Sequence, residues 1–188
     1  MSRGDLFMDA WPQPKATSPL AEITERDAFF SPCRTWRYSL TRSWGEWQNP
    51  LVCIGLNPST ADETQDDPTI RRVIGFARSW GHDGLVMLNL FGYRSTDPAP
   101  LRRMDRGVAV GPENDAYIAL EAEGRRVLCA WGVHGEVHGR AHEVYRTLKR
   151  AGVDLVCLGL TKAGSPRHPL YVPAVEPHRA FVDERGAP

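Results

Sequence analysis

Three observations place this chain among α/β proteins, as a three-layer α/β/α arrangement around a central, mostly parallel four-stranded sheet. Four short apolar runs, at residues 51–56, 85–91, 126–131 and 153–160, alternate with segments of helical periodicity. The runs lack polar alternation, as expected of strands covered on both faces. Each also leaves its strand into small and polar residues, which is how open α/β sheets present ligand sites at strand ends.

The bulk properties are ordinary. A chain of 188 residues with 41% hydrophobic and 24% charged residues fits one globular domain with a real core. Formal net charge is zero, so no global field draws the protein to nucleic acid or anionic membrane. No apolar run approaches a membrane span and no signal-peptide pattern opens the chain, so a cytoplasmic location is expected. Cys53, Cys129 and Cys157 lie in apolar runs and no CxxC pair occurs, which argues against a metal or iron–sulfur centre.

Residues 1–32, with Pro12, Pro14, Pro19 and Pro32, read as a mobile tail, leaving 33–182 as a single α/β domain. Residues 34–47 alternate: Trp36, Tyr38 and Leu40 against Thr35, Arg37, Ser39 and Thr41. Period two with aromatics predicts a half-buried strand. The SWGEW segment then turns it into the run at Leu51, forming an N-terminal β-hairpin. Asp67-Pro68 is a helix start, the carboxylate capping and the proline at N1, followed by Ile70, Val73, Ile74 and Ala77 on one face. Residues 96–110 read as irregular, Gly111-Pro112-Glu113 as a second helix start, and 139–150 as a third helix.

Parallel strands bring their C-terminal ends to one edge, so four polar exits converge there: Asn57 with its acidic loop, Asn89 with Tyr93 and Arg94, Trp131 with His134, and Ser165 with His168. Asn57 is either a ligand contact or a turn residue tying its loop. Asn89 interrupts an apolar run, where a buried amide needs partners, and a base edge matches its paired donor and acceptor. His168 sits between Arg167 and Pro169 in a stiffened loop. Asp62, Glu63, Asp66 and Asp67 could include a water-activating base, although for any single one a solvated loop or a helix cap is the favoured reading. His134, His138 and His142 recur every four residues, but Gly135 and Gly139 argue against one helix presenting them to a metal. Walker, GxGxxG and GxSxG patterns are absent, so no cofactor is implied.

From about residue 37 to 173 the chain resembles a bacterial and phage family known by a domain-of-unknown-function label (DUF 1643), through GLNPSTAD, DDPTIRRVIGFARSWG, NLFGYRSTDP, GPEND, CAWG and LGLTKAGSPRHPLY. More distantly it resembles the uracil-DNA glycosylase superfamily. Gly55-Leu56-Asn57-Pro58, the run ending in Asn89, and His168-Pro169-Leu170 are similar to three motifs of that superfamily, in its order. It departs from the pattern where Asn57 stands at a usually acidic position and where Leu170-Tyr171 follows His168-Pro169.

The resemblance implies a glycosylase-like fold and hydrolysis of an N-glycosidic bond of a uracil-like or modified base, in a nucleotide or in single-stranded or duplex DNA. Asn57 would orient water with help from Asp62, Asn89 would read the base edge, and His168 would stabilise the departing base. Phe91 and Tyr93 are the candidates for stacking on the base; Arg94, Arg102, Arg103 and Arg167 are those for phosphate. A base-binding module without turnover and a metal-dependent phosphohydrolase using the acidic loop are the competing readings.

Overall fold

Seven strands make one mixed sheet in the order β1-β2-β4-β3-β5-β6-β7. The computed structural model of the protein describes residues 21–183, so most of the expected tail, 1–20, lies outside the described residues. The strands are β1 (Glu25–Phe30), β2 (Arg37–Ser43), β3 (Pro50–Gly55), β4 (Gly84–Asn89), β5 (Arg126–Cys129), β6 (Asp154–Cys157) and β7 (Arg179–Ala180). The apolar runs became β3 to β6, and these pair parallel in the order β4-β3-β5-β6. Antiparallel strands extend both edges: β2 and β1 beside β4, and β7 beside β6. The sheet is therefore larger and more mixed than the expected four strands. β1 falls inside the stretch read as tail, and β7 is two residues long; neither carries the apolar alternation that marks a strand.

The expected hairpin between residues 34–47 and the Leu51 run does not form, because β4 inserts between β2 and β3. The cause is Asp83. Its carboxylate accepts the backbone N–H groups of Gln48 (2.6 Å) and Asn49 (3.0 Å), and its carbonyl accepts that of Trp44 (3.0 Å). The connection is thereby carried over the start of β4. Trp47, at φ 58°, lies against Gly84, where a Cβ would stand 2.5 Å from the indole.

Helix α1 (Pro68–Ser79) covers one face, packing Ile70, Val73, Phe76 and Ala77 onto Leu51, Cys53, Leu85 and Met87. Asp67 caps it, accepting the N–H of Ile70 at 2.9 Å, as its sequence position predicts. The opposite face takes α2 (Arg106–Val110), α3 (Asn114–Ala122) and α4 (Arg140–Arg150) through Ala109, Ile118, Ala122, Ala141, Val144 and Leu148. α2 lies in the stretch read as irregular; Asp105 caps it by accepting from Gly107 and Val108. No described helix is long and apolar enough to cross a membrane.

Nor is β2 half-buried. Its polar side is covered by the loop at residues 59–66, and buried arginines make the joint. Arg42, with 0% of its side chain exposed, donates Nε to Asp66 (2.7 Å) and its terminal nitrogens to the carbonyls of Asp62 (2.6 Å), Thr41 (2.8 Å), Asp27 and Gln65. Arg37 donates to the Ala61 carbonyl at 2.9 Å. Removing one partner of such a buried cluster leaves a carboxylate and several carbonyls short of donors. Arg42→Met should therefore destabilise the protein by about 3 kcal/mol in urea unfolding. It should also raise proteolytic cleavage within residues 59–66 above that at other loops.

Candidate functional site

The four parallel strands are wound in two senses. From β3 the chain crosses through α1, on one face, to β4; from β5 it crosses through α4, on the other face, to β6. The loops leaving β3 and β5 thus diverge at adjacent strand ends, and a crevice opens between them, the switch point where open α/β sheets bind ligands. A cavity of about 760 Å³ occupies this place. Gly55, Leu56, Asn57 and Ser59 line it from β3; Trp131, Gly132, Val133 and His134 from β5; Met87 and Asn89 from β4. The volume lies in the range of small-molecule pockets, about 300–1,000 Å³.

Asn57, Asn89 and His168, three residues far apart in the chain, all line this cavity. Asn57 donates its amide nitrogen to the carbonyls of Pro58 (3.1 Å) and Ser95 (2.7 Å), so both amide protons tie the loop and its carbonyl oxygen is what it offers a ligand. Asn89 is 1% exposed, and its amide nitrogen has no hydrogen-bond partner among the described residues. Gly55 gives it room: a Cβ there would stand 3.0 Å from Asn89 Oδ1 and 2.6 Å from Met87 Cε.

His168 caps the short 3-10 turn Pro169–Tyr171, its Nδ1 accepting the N–H of Leu170 at 3.4 Å. The ring proton is therefore on Nε2. Burial pushes its pKa below the ordinary histidine value, while the Asp67 carboxylate partly opposes this. The imidazole is a neutral donor.

The acids of the loop do not line the cavity, apart from Asp67. Asp62 Oδ1 accepts from Thr64 N, Thr64 Oγ1 and Gln65 N, a closed turn that holds its carboxyl down to about 2. Glu63 is paired with Arg34, and Asp66 with Arg26 and Arg42. Asp67 alone among these acids lines the cavity, in addition to capping α1. Arg37 lines it too. Its burial depresses the guanidinium pKa to about 10 against the opposing field of Asp67, and its Nε has no partner among the described residues.

Several expected contacts lie elsewhere. Phe91 is fully buried in the core below α3 and α4, edge-on to His138. Tyr93 packs against the same core and bridges to Trp36. Neither lines the cavity; the aromatics that do are Trp131, buried, and Tyr171, 82% exposed. Arg94 lies over the Phe30 ring and donates to the Arg34 carbonyl, and Arg103 is an exposed residue outside the cavity. Arg102 stands behind the wall on His134, and Arg167 lines the wall itself.

The three spaced histidines separate: His134 in the cavity, His138 on the Leu101 carbonyl, His142 3.8 Å from Asp183. Among the described residues no group of three or more His, Cys, Asp or Glu side chains is placed to hold a metal. Arg37 and Asp67 were the residues hardest to find from sequence. One stood on the presumed solvent side of a strand, and the other had a sufficient explanation as a cap.

Fold and site together define an α/β protein with a small-molecule-sized cavity at the switch point of its parallel strands, whose largely apolar wall carries a few convergent polar side chains. The chain belongs to the family described as protein of unknown function (DUF1643), whose profile matches residues 37–170. The match runs from β2 to the His168 turn and takes in every cavity residue except Tyr171. No curated protein and no solved structure matches the chain.

Gly55→Ala tests whether the floor is built around Asn89. Relief by Met87 is cheap because its Cε is the end of a flexible chain, whereas Asn89 is held in β4. The variant should unfold within about 1 kcal/mol of the wild type. It should nevertheless lose most ligand affinity, measured by calorimetry with any ligand found.

Proposed function

We propose that the cavity takes a nucleobase and that the protein hydrolyses the N-glycosidic bond of a uracil-like or modified base, with the uracil-DNA glycosylase-like fold that its motifs suggest. The observation that carries this reading is the meeting of Asn57, Asn89 and His168 in one cavity with a buried amide donor left unpaired. A buried donor without a partner costs about 1–3 kcal/mol, which a base carbonyl would recover.

In this reading Asn89 donates to the base edge. Asn57 accepts from a water through its carbonyl oxygen and holds it against the anomeric carbon. The carbon–nitrogen bond breaks with its electron pair passing to the base, and His168 Nε2–H donates to the resulting anion. The proton of the attacking water goes to a carboxylate. Asp67 takes that role in place of Asp62, whose oxygen is closed into its own turn. The acidic-loop phosphohydrolase loses support for the same reason, since Asp62, Glu63 and Asp66 each serve a different partner.

Base release from uracil-containing and modified-base oligonucleotides, and from the free nucleotides, is the test. His168→Ala should lower kcat about 100- to 1,000-fold, the size of a lost transition-state donor. Asn89→Ala should lower kcat/KM about 10- to 100-fold. Both variants should keep the wild-type circular dichroism. Saturable binding without release in the wild type would leave a base-binding module and remove the enzyme.

The pH profile carries a separate check. Because the folded pKa of His168 is depressed, the neutral donor persists as pH falls, and release should hold through about 6.5 and decline only below it. His168→Asn, which keeps an N–H donor but does not titrate, should retain part of the activity and lose that acid limb. An acid limb at or above the ordinary histidine pKa would remove His168 from this role.

A further inference from the structure

We propose that His134, Thr161 and Arg167 form a phosphate subsite in the wall of the cavity, so that the ligand is a free nucleoside monophosphate rather than a base within a polymer. The inference rests on the base reading above for the other half of the ligand. The wall is one unit. Gly132 donates its N–H to the Pro166 carbonyl at 3.0 Å, and its Cα side faces His168, where a Cβ would approach to 3.3 Å. The loops leaving β5 and β6 are thereby held together, and His134, Thr161 and Arg167 all line the cavity from them.

Each of the three presents a donor. Arg102 Nη2 lies 3.0 Å from His134 Nδ1. A guanidinium has no acceptor, so Nδ1 must accept and the ring proton sits on Nε2. Thr161 Oγ1 accepts the N–H of Ser165 at 3.2 Å, which leaves its hydroxyl proton to give. Arg167 is anchored by its Nε on the Leu160 carbonyl at 3.3 Å, and its terminal nitrogens have no partner among the described residues. The wall has three donors and one full positive charge. Arg102 adds a second positive charge behind it.

The single carboxylate lining the cavity, Asp67, is on the α1 side with Arg37. Size agrees with charge. A base ring fills only part of about 760 Å³, and the remainder admits a sugar and one phosphate. A polymer is disfavoured by the neutral chain, and of the four arginines read as phosphate contacts Arg94 and Arg103 lie outside the cavity.

The experiment is calorimetric titration of the full chain with inorganic phosphate, with deoxyuridine and the common nucleosides, with their 5′-monophosphates, and with a short single-stranded oligonucleotide. The monophosphate of the preferred base should bind at least tenfold more tightly than its nucleoside. That preference should vanish in the His134→Ala, Arg167→Ala double variant, with nucleoside affinity kept. Arg102→Ala should reduce the preference by freeing the His134 ring, His134→Gln should restore part of it, and Arg103→Ala should leave it unchanged.

Nucleoside and monophosphate binding equally would overturn the subsite while leaving the base reading. Phosphate binding that the double variant abolishes, with no nucleoside binding, would leave the subsite and remove the base reading. An oligonucleotide that binds more tightly than the monophosphate would overturn the claim of a free nucleotide, and absence of binding by phosphate and monophosphate alike would overturn the subsite.

Discussion

The parallel pairing of β3 with both β4 and β5 is the constraint from which the site follows. With β3 in the middle, the crossover through α1 and the crossover through α4 must leave opposite faces. The two outgoing loops cannot close over each other, and a cavity remains at their divergence. Asn57 belongs to one of these loops and His134 to the other. Asn89 enters from β4, next to β3, and His168 from the loop beyond β6. Their meeting in space is a property of strand order and requires no local motif joining them.

Around that frame, buried arginines act as ties to backbone. Arg42 holds the acidic loop to β2 through the Asp62 and Gln65 carbonyls and the Asp66 carboxylate, and also satisfies the carbonyls of Asp27 in β1 and Thr41 in β2. Arg140, on α4, reaches the Leu90 carbonyl beside the end of β4 and pairs with Asp115 and Glu143. Each guanidinium is itself buried, and these oxygens supply the acceptors without which it would be costly to bury. Arg37 is the exception. Its side chain ties the same loop through a single bond, to the Ala61 carbonyl, and also faces the cavity with Asp67, so a residue of the same type in the same strand as Arg42 serves ligand space as well as loop closure.

The four central strands, the cap at Asp67 and the convergence of Asn57, Asn89 and His168 were legible because each depends on local pattern or on a rule of topology. Unbroken apolar runs announced β3 to β6, and parallel connection placed their exits together. What was not legible depends on contacts between distant segments. The hairpin expected before Leu51 fails because the Asp83 carboxylate takes two backbone donors some 35 positions back along the chain. Arg37 looked solvent-facing because alternation cannot show that a loop will fold over the polar side of a strand. Phe91 and Tyr93 looked available because an aromatic after a strand end reads alike whether it turns to the cavity or to the core. Asp62 looked catalytic because its turn, closed on Thr64 and Gln65, has no distinguishing composition.

Helix α1 couples two parts of the cavity mechanically. Its first turn is capped by Asp67, and Arg72, one turn further on, grips the carbonyls of Pro169 and Val172, the first residue of the turn that His168 caps and the residue just after it. Asp67 and the His168 loop therefore ride on one rigid body. If the cavity widens to admit a ligand, the spacing between carboxylate and imidazole is conserved. The opposite wall, with Ser95, Thr96 and Pro98, has no such anchor to α1 among the described residues and is held to the Asn57 loop instead, Ser95 N–H donating to the Pro58 carbonyl (2.9 Å) and the Asn57 amide to the Ser95 carbonyl (2.7 Å). Any widening at that wall therefore carries Asn57 with it and leaves the spacing of Asp67 and the His168 loop unchanged.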